Sequence, residues 1–204
     1  MEISATEKHP LAPFLPEGAK ILMLGSFPPA RKRWSMEFFY PNWINDMWRI
    51  WGLIFYDDKE HFVAEDADGK KAKRFDRDRC AGFAAEKGIA MYDTACEVRR
   101  LKDNASDKFL EVVKATDLPS LLEKIPECRA IVTTGQKATD VIVETFECEE
   151  PAVGGYSELS VCGRAMRLWR MPSSSRAYPL SLEKKAEFYR KMFIHELKDS
   201  PNEN

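Results

Sequence analysis

The sequence predicts an α/β protein: a three-layer α/β/α sandwich around a central, mostly parallel, four-stranded sheet. Three observations carry this expectation. Four short apolar runs have the length and the turn-residue ends of buried strands. Amphipathic helical patterns lie between them, which implies βαβ units and a parallel sheet covered on both faces. Each run is followed by polar or backbone-shaping residues, as the ligand-binding edge of such a sheet requires.

The four runs are Lys20 to Leu24, Gly88 to Tyr92, Ala130 to Thr133, and a stretch near Ala165 to Met171. The clearest helix runs from Trp43 to Phe55, with Ile44, Met47, Trp48, Trp51 and Ile54 on one face directed to the core. A second spans Lys137 to Phe146, with Ala138, Val141, Ile142 and Thr145 in step. A third closes the chain: Ser181 suits the N-cap, Glu183 the first-turn dipole, and Leu182, Ala186, Tyr189, Phe193 and Leu197 the buried stripe. The polar stretch from Asp57 to Arg79 reads as an insertion or mobile surface loop, and residues 199–204 as a frayed tail. One domain over residues 1–204 accommodates all of this.

Composition narrows the function classes. The chain has 204 residues, 44% of them apolar, and 31 Lys plus Arg against 33 Asp plus Glu, a net charge of -2 that argues against an indiscriminately basic coat. Five cysteines at wide spacing, without a C-x-x-C pair, fit reduced thiols in a cytoplasm better than a zinc ribbon. Neither an export signal nor a membrane span is expected. The three histidines, His9, His61 and His195, do not follow strands, so neither a nucleophilic triad nor a histidine metal site is expected.

The chemistry should lie in the segments after the strands. The first strand is followed by Gly25, Ser26, Phe27, Pro28 and Pro29, the second by Asp93 and Thr94, the third by Thr134 to Gln136, and the fourth by Pro172, Ser173, Ser174, Ser175 and Arg176. The first loop is neither a dinucleotide fingerprint nor a P-loop, because its prolines remove amides that would cradle a phosphate. It offers instead a stiff, closely approaching main chain, or only a tight turn. Phe38, Phe39 and Tyr40 precede the first helix, where Pro41 favours extended backbone, and one of them can stack on a flat ligand. Asn42 or Asn45 can cap the helix or present an amide to a ligand or a water. The serine loop can bind a phosphate. Of three basic clusters, Arg31, Lys32 and Arg33 have the best claim, since they follow the Gly25 loop; Lys70 to Arg79 and Arg99, Arg100 and Lys102 are the others.

Taken in order, these motifs resemble the uracil-DNA glycosylase superfamily, most nearly its hypoxanthine-DNA glycosylase and mismatch-specific branches. Leu22 to Pro29 resembles the first motif, Tyr40-Pro41 with Asn45 to Trp48 the aromatic segment, Met91 to Thr94 an intervening L-W-D-V, Thr134 to Ala138 an N-G-x-K-A turn, and Met171 to Ala177 the second motif. The likeness spans most of Leu11 to Met192. Phe27 stands where the mismatch-specific branch has a water-assisting Asn, Pro29 replaces a Gly, and Arg176 replaces a Pro.

The resemblance implies a DNA glycosylase that flips a uracil- or hypoxanthine-like base out of DNA and hydrolyses its bond to deoxyribose, as a monomer without metal or other cofactor. It assigns Asn45 to water or base positioning, the Gly25 to Phe27 backbone and Pro28 to the pocket wall, one of Phe38, Phe39 and Tyr40 to stacking, and Ser173 to Arg176 with Arg31 to Arg33 to DNA. Asp93 can orient polar groups or act as a base. The rival expectation is a catalytically silent DNA-binding module of the same fold, and a small-molecule enzyme using the same crevice is a third.

Overall fold

The computed structural model describes residues 6–101 and 110–197. In chain order the elements are β1 (Thr6–Lys8), β2 (Ile21–Gly25), a 3-10 turn (Arg31–Arg33), α1 (Met47–Tyr56), β3 (Val63–Glu65), β4 (Lys71–Phe75), α2 (Arg77–Glu86), β5 (Ile89–Asp93), β6 (Ala95–Arg100), β7 (Leu110–Ala115), α3 (Leu118–Glu123), β8 (Ala130–Thr134), α4 (Gln136–Phe146), β9 (Tyr156–Val161), β10 (Arg164–Met171) and α5 (Leu182–Leu197). Lys102 and the expected tail at 199–204 lie outside the described residues.

The central sheet runs β5-β2-β8-β10-β9. Its first four strands are mutually parallel and are the four apolar runs of the sequence. The expected count of four is corrected to five: β9 adds an antiparallel edge. Its sequence, YSELSV, alternates polar and apolar because only one face is covered, so it lacks the apolar run that marks a doubly buried strand. The three strands β5, β2 and β8 are buried at every position, as strands between helical layers must be.

Aromatic packing holds α1, α2 and α5 together. Trp51 of α1 meets Phe83 of α2 at 5.6 Å and Phe193 of α5 at 5.8 Å between ring centroids. On α4 the buried residues are Ala138, Thr139 and Ile142, and Thr139 joins Thr133 of β8 at 2.8 Å.

Helix α1 begins at Met47, not Trp43. Asn42 and Asn45 each turn a side-chain oxygen onto the amide two residues ahead, Ile44 at 3.2 Å and Met47 at 2.9 Å, which holds residues 42–46 in successive Asx turns. Ile44, expected on the core face, is consequently 50% exposed. The stretch 57–79, expected as a polar loop, carries a hairpin of β3 and β4 that sinks Phe62, Val63 and Phe75 into the core and then starts α2, capped by Asp76 accepting from Arg79. Phe62 and Val63 are adjacent and are separated from Phe75 by a charged stretch, so no periodic pattern marks them.

A second sheet, β1-β6-β7, is antiparallel throughout and stands beside the carboxyl edge of the central one. Its own small core of Ala95, Val98 and Leu110 packs on Phe27 of the first-strand loop.

Candidate functional site

A crevice of about 160 Å³ opens beyond the carboxyl ends of β2, β5, β8 and β10. Gly25, Ser26, Phe27, Pro28, Phe39, Tyr40, Asn45, Asp93 and Ser173 to Ser175 all line it, as the parallel topology demands. Pro29, Pro41, Asn42, Thr134, Leu11, Leu110 and Arg100 complete the lining. Its volume is below the roughly 300–1,000 Å³ of sites for drug-sized molecules, and suits one flat ring system.

The floor is set by β2 and β5, which end side by side with Gly25 opposite Asp93. A side chain at Gly25 has no room: a Cβ there would stand 2.4 Å from Asp93 Oδ1. Glycine is therefore what lets the carboxylate lie across the strand end. The Asp93 carbonyl is also held, by the Thr116 hydroxyl at 2.7 Å.

Behind Asp93 stands His9, which lies just past β1 and whose Nε2 is 2.8 Å from Asp93 Oδ2, the two side chains being only 2% and 11% exposed. The pairing of β1 with β6 brings it there, together with the bond from the His9 amide to the Cys96 carbonyl. The ring packs against Phe27 and Tyr92, at 5.3 and 4.5 Å between centroids. Sequence reasoning set His9 aside because no strand precedes it in an apolar run; only the tertiary pairing of a three-residue strand reveals it.

One wall is aromatic. Tyr40 has a left-handed backbone, φ 51°, where Pro41 was expected to impose an extended one. Tertiary contacts override the local preference: the Ser35 amide and hydroxyl both donate to the Pro41 carbonyl at 2.8 Å, pinning the turn. Burial pushes the Tyr40 phenol well above its usual value, the Thr134 hydroxyl offsets this in part, and the Asp93 charge adds to the rise. The buried phenolic oxygen nonetheless has no hydrogen bond of good geometry. Phe38 is corrected from the pocket to the core, where it stacks on Trp48 at 6.0 Å.

The opposite rim joins two loops. Asn45 forms an antiparallel bridge with Ser175, and the Asp46 amide donates to the Ser174 carbonyl at 2.9 Å. Asp46 is buried and accepts from Lys185 of α5 at 3.0 Å and from Arg176 at 3.2 Å; Lys185 also donates to the Ser175 carbonyl at 2.8 Å. The serine loop is less open to a phosphate than expected, because the Ser175 and Ala177 amides turn onto the Ser173 and Ser175 hydroxyls. Asn45, for its part, has its side-chain oxygen engaged by the Met47 amide, which leaves its two N–H donors to serve the crevice.

The basic residues divide differently from expectation. Arg31, Lys32 and Arg33 are exposed on the 3-10 turn and do not line the crevice; Arg31 stacks on Trp34 and pairs with Glu37. Arg176 leans on Asp46. Among the described residues the cation that lines the crevice is Arg100, which donates to the Pro28 carbonyl at 2.7 Å and pairs with Glu7 at 2.9 Å. Among the described residues no group of three or more His, Cys, Asp or Glu side chains converges as a metal site would, and no helix is long and apolar enough to cross a membrane.

No family model and no curated protein matches the chain. Among solved structures it is similar to a candidate uracil DNA glycosylase from Methanosarcina acetivorans, determined in solution by NMR. The identity is 20% and the TM-score 0.57, over 94% of this chain and 98% of that one. The molecule therefore has a mixed α/β fold of the uracil-DNA-glycosylase kind, with the crevice at the carboxyl edge of its parallel strands.

Proposed function

We propose that the protein is a monofunctional DNA glycosylase that hydrolyses the N-glycosidic bond of a deaminated base, uracil or hypoxanthine, in DNA. The observation that supports this best is the convergence on one small crevice of an anchored carboxylate, Asp93, with the amide donors of Asn45 and an aromatic wall of Phe27, Phe39 and Tyr40. A glycosylase needs those parts: a ring-shaped slot, donors for a departing anion, and an acceptor for the proton of water.

The roles follow from the hydrogen-bond inventory. Asn45 has its side-chain oxygen engaged by the Met47 amide and its N–H donors left over, so it serves the base, whose carbonyl oxygen gains charge as the bond lengthens. Asp93 offers only acceptors, so it orients water and stabilises the cationic sugar. The water oxygen bonds to C1′, the C1′–N bond breaks with its electron pair leaving on the base, and the water proton passes to Asp93. Phe39 and Tyr40 stack on the extruded base, the Gly25 to Pro28 main chain walls the slot, and Arg100, Arg176, Arg31 to Arg33 and the serine loop meet the DNA. In this reading the chain acts as a monomeric single domain in the cytoplasm, its helices forming outer layers about the sheet.

Single-turnover incubation with duplexes carrying uracil or hypoxanthine, followed by alkaline cleavage, tests the proposal. Strand scission at the modified position is expected. Tight binding with no abasic sites at enzyme excess would replace the enzyme by a silent DNA-binding module.

A further inference from the structure

Asp93 can serve only if one oxygen faces the reaction, and an aspartate carboxylate rotates about its last bond at little cost. Three contacts constrain it here. Its carbonyl is tied to Thr116, its Oδ1 rests over the bare Cα of Gly25, and its Oδ2 is 2.8 Å from His9 Nε2. Of these only His9 holds the carboxylate itself through a directed donor.

The ring is fixed as well. Its Nδ1 lies 3.1 Å from the Leu11 amide nitrogen and 2.9 Å from the Leu11 carbonyl oxygen. The neutral ring with its proton on Nε2 accepts from the Leu11 N–H, while the imidazolium donates to the Leu11 carbonyl. In both states Nε2 donates to Asp93. The Phe27 and Tyr92 rings pack against the imidazole, and the Arg100 guanidinium lies 5.7 Å from the Phe27 centroid.

We infer that His9 is a positioning residue for Asp93: by holding Oδ2 it turns Oδ1 into the crevice, so that the N-terminal arm completes the site. This rests on the glycosylase reading for its kinetic consequence, though not for the contact itself.

The test compares wild type with His9→Phe, which keeps a ring and loses the donor, and His9→Gln, whose amide nitrogen can replace Nε2. Single-turnover base release from a uracil duplex should fall roughly ten- to a hundredfold in His9→Phe, the worth of one hydrogen bond to a charged group. The enzyme concentration giving half-maximal rate should stay unchanged, and His9→Gln should recover most of the rate. A purely structural role would instead lower the unfolding midpoint and leave the rate per folded molecule intact, overturning the inference. Equal rates in all three proteins would do the same.

A second readout needs no activity. Imidazole nitrogen NMR of the wild type should show the His9 Nε2–H proton in slow exchange, and Asp93→Asn should shift that signal. An unchanged signal overturns the contact. If wild type releases no base, the glycosylase reading falls by itself, and the spectrum alone decides whether His9 holds Asp93.

Discussion

Replacing Gly25 by alanine puts one methyl group where the structure has the Asp93 carboxylate. The new Cβ would lie 2.4 Å from Oδ1 and 3.6 Å from Cγ, with the Thr134 hydroxyl at 3.9 Å on the other side. To restore even the 3.0 Å below which real Cβ contacts essentially never fall, the oxygen must retreat by at least 0.6 Å. An unanchored aspartate would do this by a small rotation. Asp93 cannot, because its other oxygen is held by His9 and its carbonyl by Thr116. Either the His9 hydrogen bond breaks or the floor of the crevice shifts. Overpacking of this kind costs about 1–3 kcal/mol of stability, well inside what a domain tolerates, whereas a misplacement approaching 1 Å can cost about a hundredfold in rate. Gly25→Ala should therefore remain folded by urea titration while single-turnover base release falls about a hundredfold. A folded Gly25→Ala protein with a wild-type rate would refute the assignment of Asp93 to the chemistry.

Three further outcomes are expected. Asn45→Asp keeps an acceptor for the Met47 amide but removes the amide donors, so stability should hold while the chemical step slows about 10²–10³-fold, as for loss of one preorganised donor; an undiminished rate would show that the base needs no donor from this position. Lys185→Met leaves buried Asp46 with half-exposed Arg176 alone and should lower stability by about 3 kcal/mol or more, measured by urea unfolding, with much of the loss recovered in the Asp46→Asn, Lys185→Met double variant. Burial pushes the Glu196 carboxyl up, but hydrogen bonds from Arg167, Trp169 and His195 and the Arg167 charge outweigh burial and hold it below its ordinary value of 4.5. Its contribution is thus present above that pH and lost as pH falls through the lowered native value. Unfolding midpoints of Glu196→Gln, already lower at neutral pH, should accordingly decline less on acidification than those of wild type.

Much of this architecture can be read from residue order because its strands are buried on both faces. Ile21 to Leu24, Ile89 to Tyr92 and Ala130 to Val132 are apolar without interruption, so no partner is needed to recognise them. The β1-β6-β7 sheet and β9 were illegible for the opposite reason: ACEVRR, LEVVKA and YSELSV bury one face and carry charge on the other, and a short alternation of this sort is also compatible with a loop. Most crevice residues could be named in advance because topology alone places strand ends together. Phe38 and Tyr40 could not be told apart, since adjacent aromatics differ only in which way a turn of tertiary origin points them. Lys185 and Glu196 did leave a signal. Both fall in register with Tyr189 and Met192 on the buried stripe of α5, where a charge requires a partner, Asp46 for the one and Arg167 for the other. His9 left none, because a three-residue strand is specified entirely by what it pairs with.

The brevity of β1 bears on how firmly the N-terminal arm is held. β1 is an edge strand with three paired positions and exposed or half-exposed residues, whereas β2 and β5, which carry the crevice floor, are buried at every position. Segments with so few buried contacts detach at a small fraction of the global unfolding free energy. Detachment would free the imidazole from a carboxylate 84 positions along the chain while the scaffold stays intact. During synthesis the same span delays completion: a contact of such sequence separation closes only after β6 has emerged and folded against its neighbours. An arm undocked in this way would leave a packed core with an unfinished crevice, a state that a melting curve of the core does not register.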